Sequence, residues 1–108
     1  MTDKAKIIKD FTETMKAHYG ERLSKIILYG SYARGDFHAE SDIDFMVLLN
    51  DNNVRASKEA LNIGDKLYDL SMKFLTMVSA QVIPQFYFEK SNTLFFRNVK
   101  KEGFIVYQ

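Results

Sequence analysis

Two aspartates, Asp42 and Asp44, flank Ile43 at the head of the apolar run IDFMVLL. Along an extended strand, residues two apart project from the same face, with Cα atoms about 6.6 Å apart. Asp42 and Asp44 are then neighbours, while Ile43, Phe45 and Val47 turn to the opposite face and pack. Adjacent carboxylates repel one another unless a cation neutralises them. Such a pair suits Mg2+, which takes one or two protein carboxylates and fills its shell with water and phosphate oxygens. Upstream, Gly30-Ser31 closes the short run KIILY. Glycine lets a backbone approach a ligand closely, and the N–H groups of Ser31 and its neighbours can hold phosphate oxygens, with the Ser31 hydroxyl as a further donor. Arg34 adds a planar cationic fork matched to phosphate. Alone, each piece is ordinary: an Asp-x-Asp commonly ends a strand in water, and a Gly-Ser is commonly a turn. Together within residues 30–44 they describe a metal–triphosphate site.

Those residues must be held by regular elements, and the apolar pattern supplies them. Residues 3–19 carry Ile7, Ile8, Phe11 and Met15 at helical spacing, with Gly20 as a stop. Residues 25–29 read as a buried strand, "SYARG" as one turn of helix, and 42–49 as a second strand ended by Asn50 to Asn53. A polar joint over 49–57 leads to a helix over 55–73, with Ala60, Ile63, Gly64 and Leu67 on one side. Residues 76–83 read as a third strand that Pro84 ends or pushes to a sheet edge. Ser91 or Asn92 can cap a last helix over 93–102, with Gly103 past its end. FIVY, 104–107, is a final strand or a docked tail. The order α-β-β-α-β-α-β predicts an α+β fold, a small mixed sheet with helices packed against it.

The 108 residues make one domain, 1–108, able to bury roughly two-thirds of its unfolded surface. A net charge of +1 gives no electrostatic reason for direct binding to nucleic acid or to an anionic membrane. The absence of cysteine excludes disulfides, thiolate metal sites and a thiol nucleophile. No signal-type segment and no run near the ~18 apolar residues of a membrane span is present, so a cytoplasmic location is expected. Self-association into a homo-oligomer is left open.

The segment GSYARGDFHAESDIDFMVLL resembles the Gly-Ser…Arg-Gly…Ser-Asp-Ile-Asp signature of the minimal nucleotidyltransferases, small members of the DNA polymerase β-like superfamily. The ending FFRNVKKEGFIVY is similar to the Arg-Asn…Glu-Gly tail common among them. The resemblance implies a polymerase β-like palm fold. It implies that Gly30 and Ser31 hold the β/γ phosphates of ATP or another nucleoside triphosphate, that Asp42 and Asp44 ligate Mg2+, and that Ser41 orders the loop before them. Arg34 takes a phosphate role. The reaction implied is attack of a hydroxyl on the α-phosphate with pyrophosphate leaving. Such proteins often pair with a small helical HEPN protein, frequently a toxic ribonuclease, and act as its antitoxin, some by adenylylating it. Relatives that modify small molecules carry an added helical domain that these residues do not provide, so the acceptor expected is a partner protein.

One expected piece is missing. Active members of the superfamily usually carry a third carboxylate on the strand after the second helix. Here alternation puts Val78, Ala80 and Val82 on one face and Ser79 and Gln81 on the other, with no acid. Gln81 is the first candidate for that place and Ser79 the second; an amide ligates weakly and is no base near neutral pH. Asp36 or Glu40 in the preceding loop are remoter substitutes. Two functions follow: transfer of a nucleoside monophosphate to the partner, or neutralisation of the partner by complex formation alone. His18, near a helix end where the dipole favours an imidazolium, and His38 read as structural or solvated, as do Lys100 and Lys101. The aromatic stretch 84–96, with Phe86, Tyr87, Phe88, Phe95 and Phe96, reads as core with a partly covered edge, or as a protein-binding surface.

Overall fold

The computed structural model describes residues 3–38 and 41–108. Helix α1 (Lys4–Tyr19) starts where the Asp3 carboxylate accepts from the Lys6 amide, and it buries Ile7, Phe11, Met15 and Tyr19 along one stripe. A single 3-10 turn, Gly20–Arg22, leads into strand β1 (Leu23–Tyr29), which begins two residues before the run KIILY. The turn α2 (Ser31–Arg34) separates it from strand β2 (Ile43–Leu49). Helix α3 (Ala56–Phe74) and strand β3 (Val78–Pro84) follow. The end of the chain forms α4 (Gln85–Lys90), α5 (Leu94–Glu102) and strand β4 (Phe104–Tyr107).

The strands form one sheet in the order β3-β2-β1-β4. β2 runs antiparallel to β1 and parallel to β3, and β4 pairs antiparallel with the other side of β1. α1 and α3 cover one face, packing Ile7, Phe11 and Ile63 against Ile26, Phe45 and Val47. α4 and α5 cover the other, where Phe88, Phe96 and Val99 meet Ile27, Met46, Leu48 and Ile83. The mixed sheet with packed helices is the architecture the pattern predicts. β2 is buried on both faces except at its head, because its side chains serve both cores.

Local details differ from the sequence reading. Pro84 ends β3 at the sheet edge, paired with Leu49, and at once caps α4. That helix escapes the pattern because Phe86, Tyr87 and Phe88 are apolar in succession and show no helical period. The cap of α5 is Thr93 rather than Ser91 or Asn92; its hydroxyl accepts from the Phe96 amide at 3.2 Å. Within 84–96, Phe88 and Phe96 are buried whereas Phe86, Tyr87 and Phe95 stay exposed, so the stretch is divided between core and surface. Lys100 donates to the carbonyls of Glu89 and Ser91, closing the end of α4 as well as complementing the dipole of α5. Among the described residues no helix is long and apolar enough to cross a membrane.

Candidate active site

The head of β2 carries the carboxylates. The Ile43 amide donates to the Met77 carbonyl at 2.9 Å, which fixes where the parallel pairing with β3 begins. Asp42 precedes it and is exposed; Asp44 follows it, half-buried, on the face shared with Met46 and Leu48. In register, Asp44 lies between Tyr29 of β1 and Ser79 of β3. The Ser79 hydroxyl donates to Asp44 Oδ1 at 2.5 Å. On the other side, Gly30 has φ +77, and a Cβ there would stand 2.5 Å from Asp44 Oδ2. Glycine suits the left-handed backbone here, and a β-carbon would oblige the Asp44 carboxylate to turn from its present place.

Burial pushes the Asp44 carboxyl above its ordinary value; the Ser79 hydrogen bond pulls it back, the Asp42 charge raises it, and the Arg34 charge lowers it. Tyr29 is likewise held above the usual phenol value, first by burial and then by Asp44, with its hydrogen bond from Gln81 acting the other way.

Gly30 caps the turn α2, and its carbonyl accepts from the Ala33 and Arg34 amides. The first amides of such a turn, that of Ser31 among them, have no partner within it. Arg34, at the far end of the turn, is held by two acids: Nε meets Asp36 Oδ2 at 3.2 Å and Nη1 meets Glu102 Oε2 at 3.7 Å. Ser41 and His38 close the loop before the aspartates, the Ser41 amide donating to the His38 carbonyl and the His38 amide to Ser41 Oγ, both at 2.9 Å. Asp36 is engaged by Arg34, and Glu40 lies outside the described residues.

The sequence ranks Gln81 ahead of Ser79 for the third-acid place. The parallel register sets Ser79 beside Asp44 and Gln81 opposite Met46, one same-face step farther along, where its amide donates to Tyr29 Oη at 3.4 Å. Among the described residues there is no group of three or more His, Cys, Asp or Glu that could hold a metal. The candidate ligand set is therefore the two carboxylates. A half-buried acid raised by burial and by a like charge fits a divalent ion that draws its remaining ligands from phosphate and water.

Sequence reasoning passed over the wall facing Gly30. A cavity of about 220 Å3 lies between the end of β1 and α5, lined by Tyr29, Gly30, Arg34, Phe95, Asn98 and Glu102 among others. The signal was present: 95, 98 and 102 share one face of a helix, three and four residues apart. His18 differs from its expected state, because burial and the nearby Lys66 charge lower its pKa and favour the neutral ring over the imidazolium.

Residues 8–108 match the family described as Polymerase beta, Nucleotidyltransferase. The chain belongs to that family. This nucleotidyltransferase is 37% identical over 94% of its length to a Methanocaldococcus jannaschii protein that bears the provisional name protein adenylyltransferase MJ0604, and it covers 96% of that relative. A second protein of that organism, with the same kind of name and numbered MJ0141, is 28% identical over 90% of the chain and 92% of its own length. Two solved structures share the fold. A toxin–antitoxin structure with AMP-PNP superposes with a TM-score of 0.66 at 20% identity, over 93% of this chain and 72% of that one. A complex of tri-AMPylated Shewanella oneidensis HEPN toxin with its MNT antitoxin gives 0.55 at 17% identity, over 94% and 71%.

Proposed function

We propose that this nucleotidyltransferase is a Mg2+-dependent adenylyltransferase that moves AMP from ATP to a hydroxyl of a partner protein, with a small helical HEPN-type toxin as the partner it neutralises. The observation that carries this reading is the paired Asp42 and Asp44 carboxylates set against the Gly30-Ser31 turn, one half suited to a cation and the other to phosphate. A cytoplasmic setting, where ATP and Mg2+ are supplied, belongs to it.

In this reading the Ser31 amide and hydroxyl and the Arg34 guanidinium hold the β/γ phosphates, and Asp42 and Asp44 would hold the metal. Bound Mg2+ supplies charge neutralisation and alignment of the triphosphate. The acceptor oxygen forms a bond to the α-phosphorus, the bond from that phosphorus to the bridging oxygen breaks, pyrophosphate leaves with the electron pair, and the hydroxyl proton passes to water. Ser79 offers no base for that proton, so catalysis rests on positioning.

That same serine favours a second reading, in which the protein binds nucleotide and partner but neutralises by complex formation alone. The two are separated by incubating the protein with α-labelled ATP, Mg2+ and the product of the adjacent gene. Label on the partner that disappears in the Asp42→Asn, Asp44→Asn double variant supports transfer. An unlabelled complex that persists in that variant supports the binder. A melting temperature unmoved by any Mg2+-triphosphate would refute both.

A further inference from the structure

We infer that the outward face of α3 is a two-fold contact between copies of this chain, the helix meeting its own counterpart antiparallel about Tyr68. Ile63 and Leu70 turn α3 into the core, and a surface helix ordinarily keeps its other side polar. This one does not. Leu61, Tyr68, Met72 and, at the helix cap, Leu75 are each more than half exposed, from 56% at Met72 to 85% at Leu75. With the exposed Gly64 they form a stripe whose members follow at intervals of three, four, four and three residues. The series reads the same from either end, with Tyr68 at its middle.

That symmetry names the occupant. A two-fold contact presents one patch to itself, so residue i meets j while j meets i. An antiparallel pair centred on Tyr68 sets Leu61 level with Leu75 of the second copy, Gly64 level with its Met72, and the two Tyr68 rings on the axis. Gly64 has no purpose within its own chain. Glycine inside a helix is destabilising relative to alanine, and a β-carbon at position 64 would meet nothing within 4 Å. In the pair, its missing side chain leaves room for Met72 of the second copy. Leu75 keeps a left-handed backbone that suits glycine better, and the contact gives its side chain a neighbour.

The stripe runs along roughly 21 Å of helix. Five residues per copy make a small interface, so the dimer is weak, with a Kd on the order of 100 µM. In dilute protein the chain is then a monomer, and Leu75 stands in water. Asp65, also exposed, borders the stripe three residues from the axis in each copy, so salt should tighten the contact rather than loosen it. α3 packs on the sheet face opposite the one that carries Asp44, and both candidate active sites stay open in the pair.

Sedimentation equilibrium between about 10 µM and about 1 mM tests this on the full chain. The mean mass of the wild type should climb from one chain towards two, and should climb more steeply as salt is raised. Tyr68→Glu sets like charges against each other on the axis and should raise the Kd at least about tenfold. It should leave the circular-dichroism melt of dilute protein unmoved, which reports that it folds. The chain has no cysteine, so oxidative cross-linking can read the geometry. Tyr68→Cys should cross-link to itself, whereas Leu61→Cys and Leu75→Cys should cross-link to each other when mixed and far more slowly alone. A mass of one chain at every concentration would overturn the contact, as would a Tyr68→Glu variant that associates like the wild type. Like-with-like cross-linking at 61 or 75 that matches the mixed pair would also overturn it. A wild type that stays monomeric while Tyr68→Glu weakens its complex with a helical partner would give the stripe to that partner instead.

Discussion

Asp44 is the residue on which stability and chemistry pull apart. Its carboxyl is raised above its ordinary value by burial first and by Asp42 as well, so the fold favours the protonated form. That contribution is complete below the unfolded carboxylate value and is lost as pH rises through the folded one. Asp44→Asn keeps the shape and removes the charge. The variant should be more stable than the parent at pH 7, with the difference closing as pH falls below the carboxylate range, measured as urea midpoints at pH 7 and pH 3. The rise in melting temperature with Mg-ATP should be lost with it; a variant less stable at pH 7 would show that the charge is not strained. Ser79 gives a second prediction. Ser79→Asp puts an acid beside Asp44 in the parallel register, and it should lower stability at neutral pH while tightening Mg2+-dependent nucleotide binding several-fold in a thermal-shift titration. The side of β2 that Asp44 takes was legible in the sequence because alternation in a strand is a local rule, whereas Asp42 lies just before the strand's first residue. The contact of Ser79 with Asp44 was not, because the register of a parallel pair is set by residues thirty-five positions apart.

The elements carry their own strains. α3 ends on Leu75, a non-glycine residue at φ 51, 85% exposed, whose amide closes the helix onto the Ser71 carbonyl. Leu75→Gly removes a left-handed leucine and loses almost no buried area. It should raise stability by about 0.5–1 kcal/mol, a few degrees in melting temperature, which scanning calorimetry resolves. A fall would mean that the leucine packs in solution. The sequence located α1, α3 and α5 because each has a one-sided apolar stripe, and it located β2 because its side chains alternate between two cores. α4 has no such stripe, and the start of β1 depends on a β-bulge between Leu23 and Lys25, which no local pattern announces.

Across the whole molecule, the two ends of the sheet do different work. The carboxylates and the Gly30 turn sit at one end. At the other, Glu59 is 5% exposed and takes a hydrogen bond from the Tyr19 hydroxyl at 3.3 Å and an ion pair from Arg22 at 3.1 Å. Asp51 holds Arg22 from the far side at 3.0 Å. Arg22→Ala leaves a buried carboxylate short of its counter-charge and should cost about 2 kcal/mol, less than a fully buried pair because Arg22 is partly in water. The strands separate the two ends by roughly 20 Å. Arg22→Ala and Asp44→Asn should therefore add within about 0.5 kcal/mol, and Arg22→Ala should leave nucleotide affinity unchanged when both are followed by thermal shift. A coupled pair would mean that strain passes along β1 and β2.

The approach of Gly30 to Asp44 also sets an order on descent. A β-carbon at position 30 meets the carboxylate while position 44 is acidic, so a lineage that loses the glycine first must turn Asp44 out of its present place. Once position 44 has shrunk, only backbone strain guards position 30, and side chains can accumulate there. Branches that have given up chemistry are then recognisable by a two-step inheritance: the acid goes, and the glycine follows.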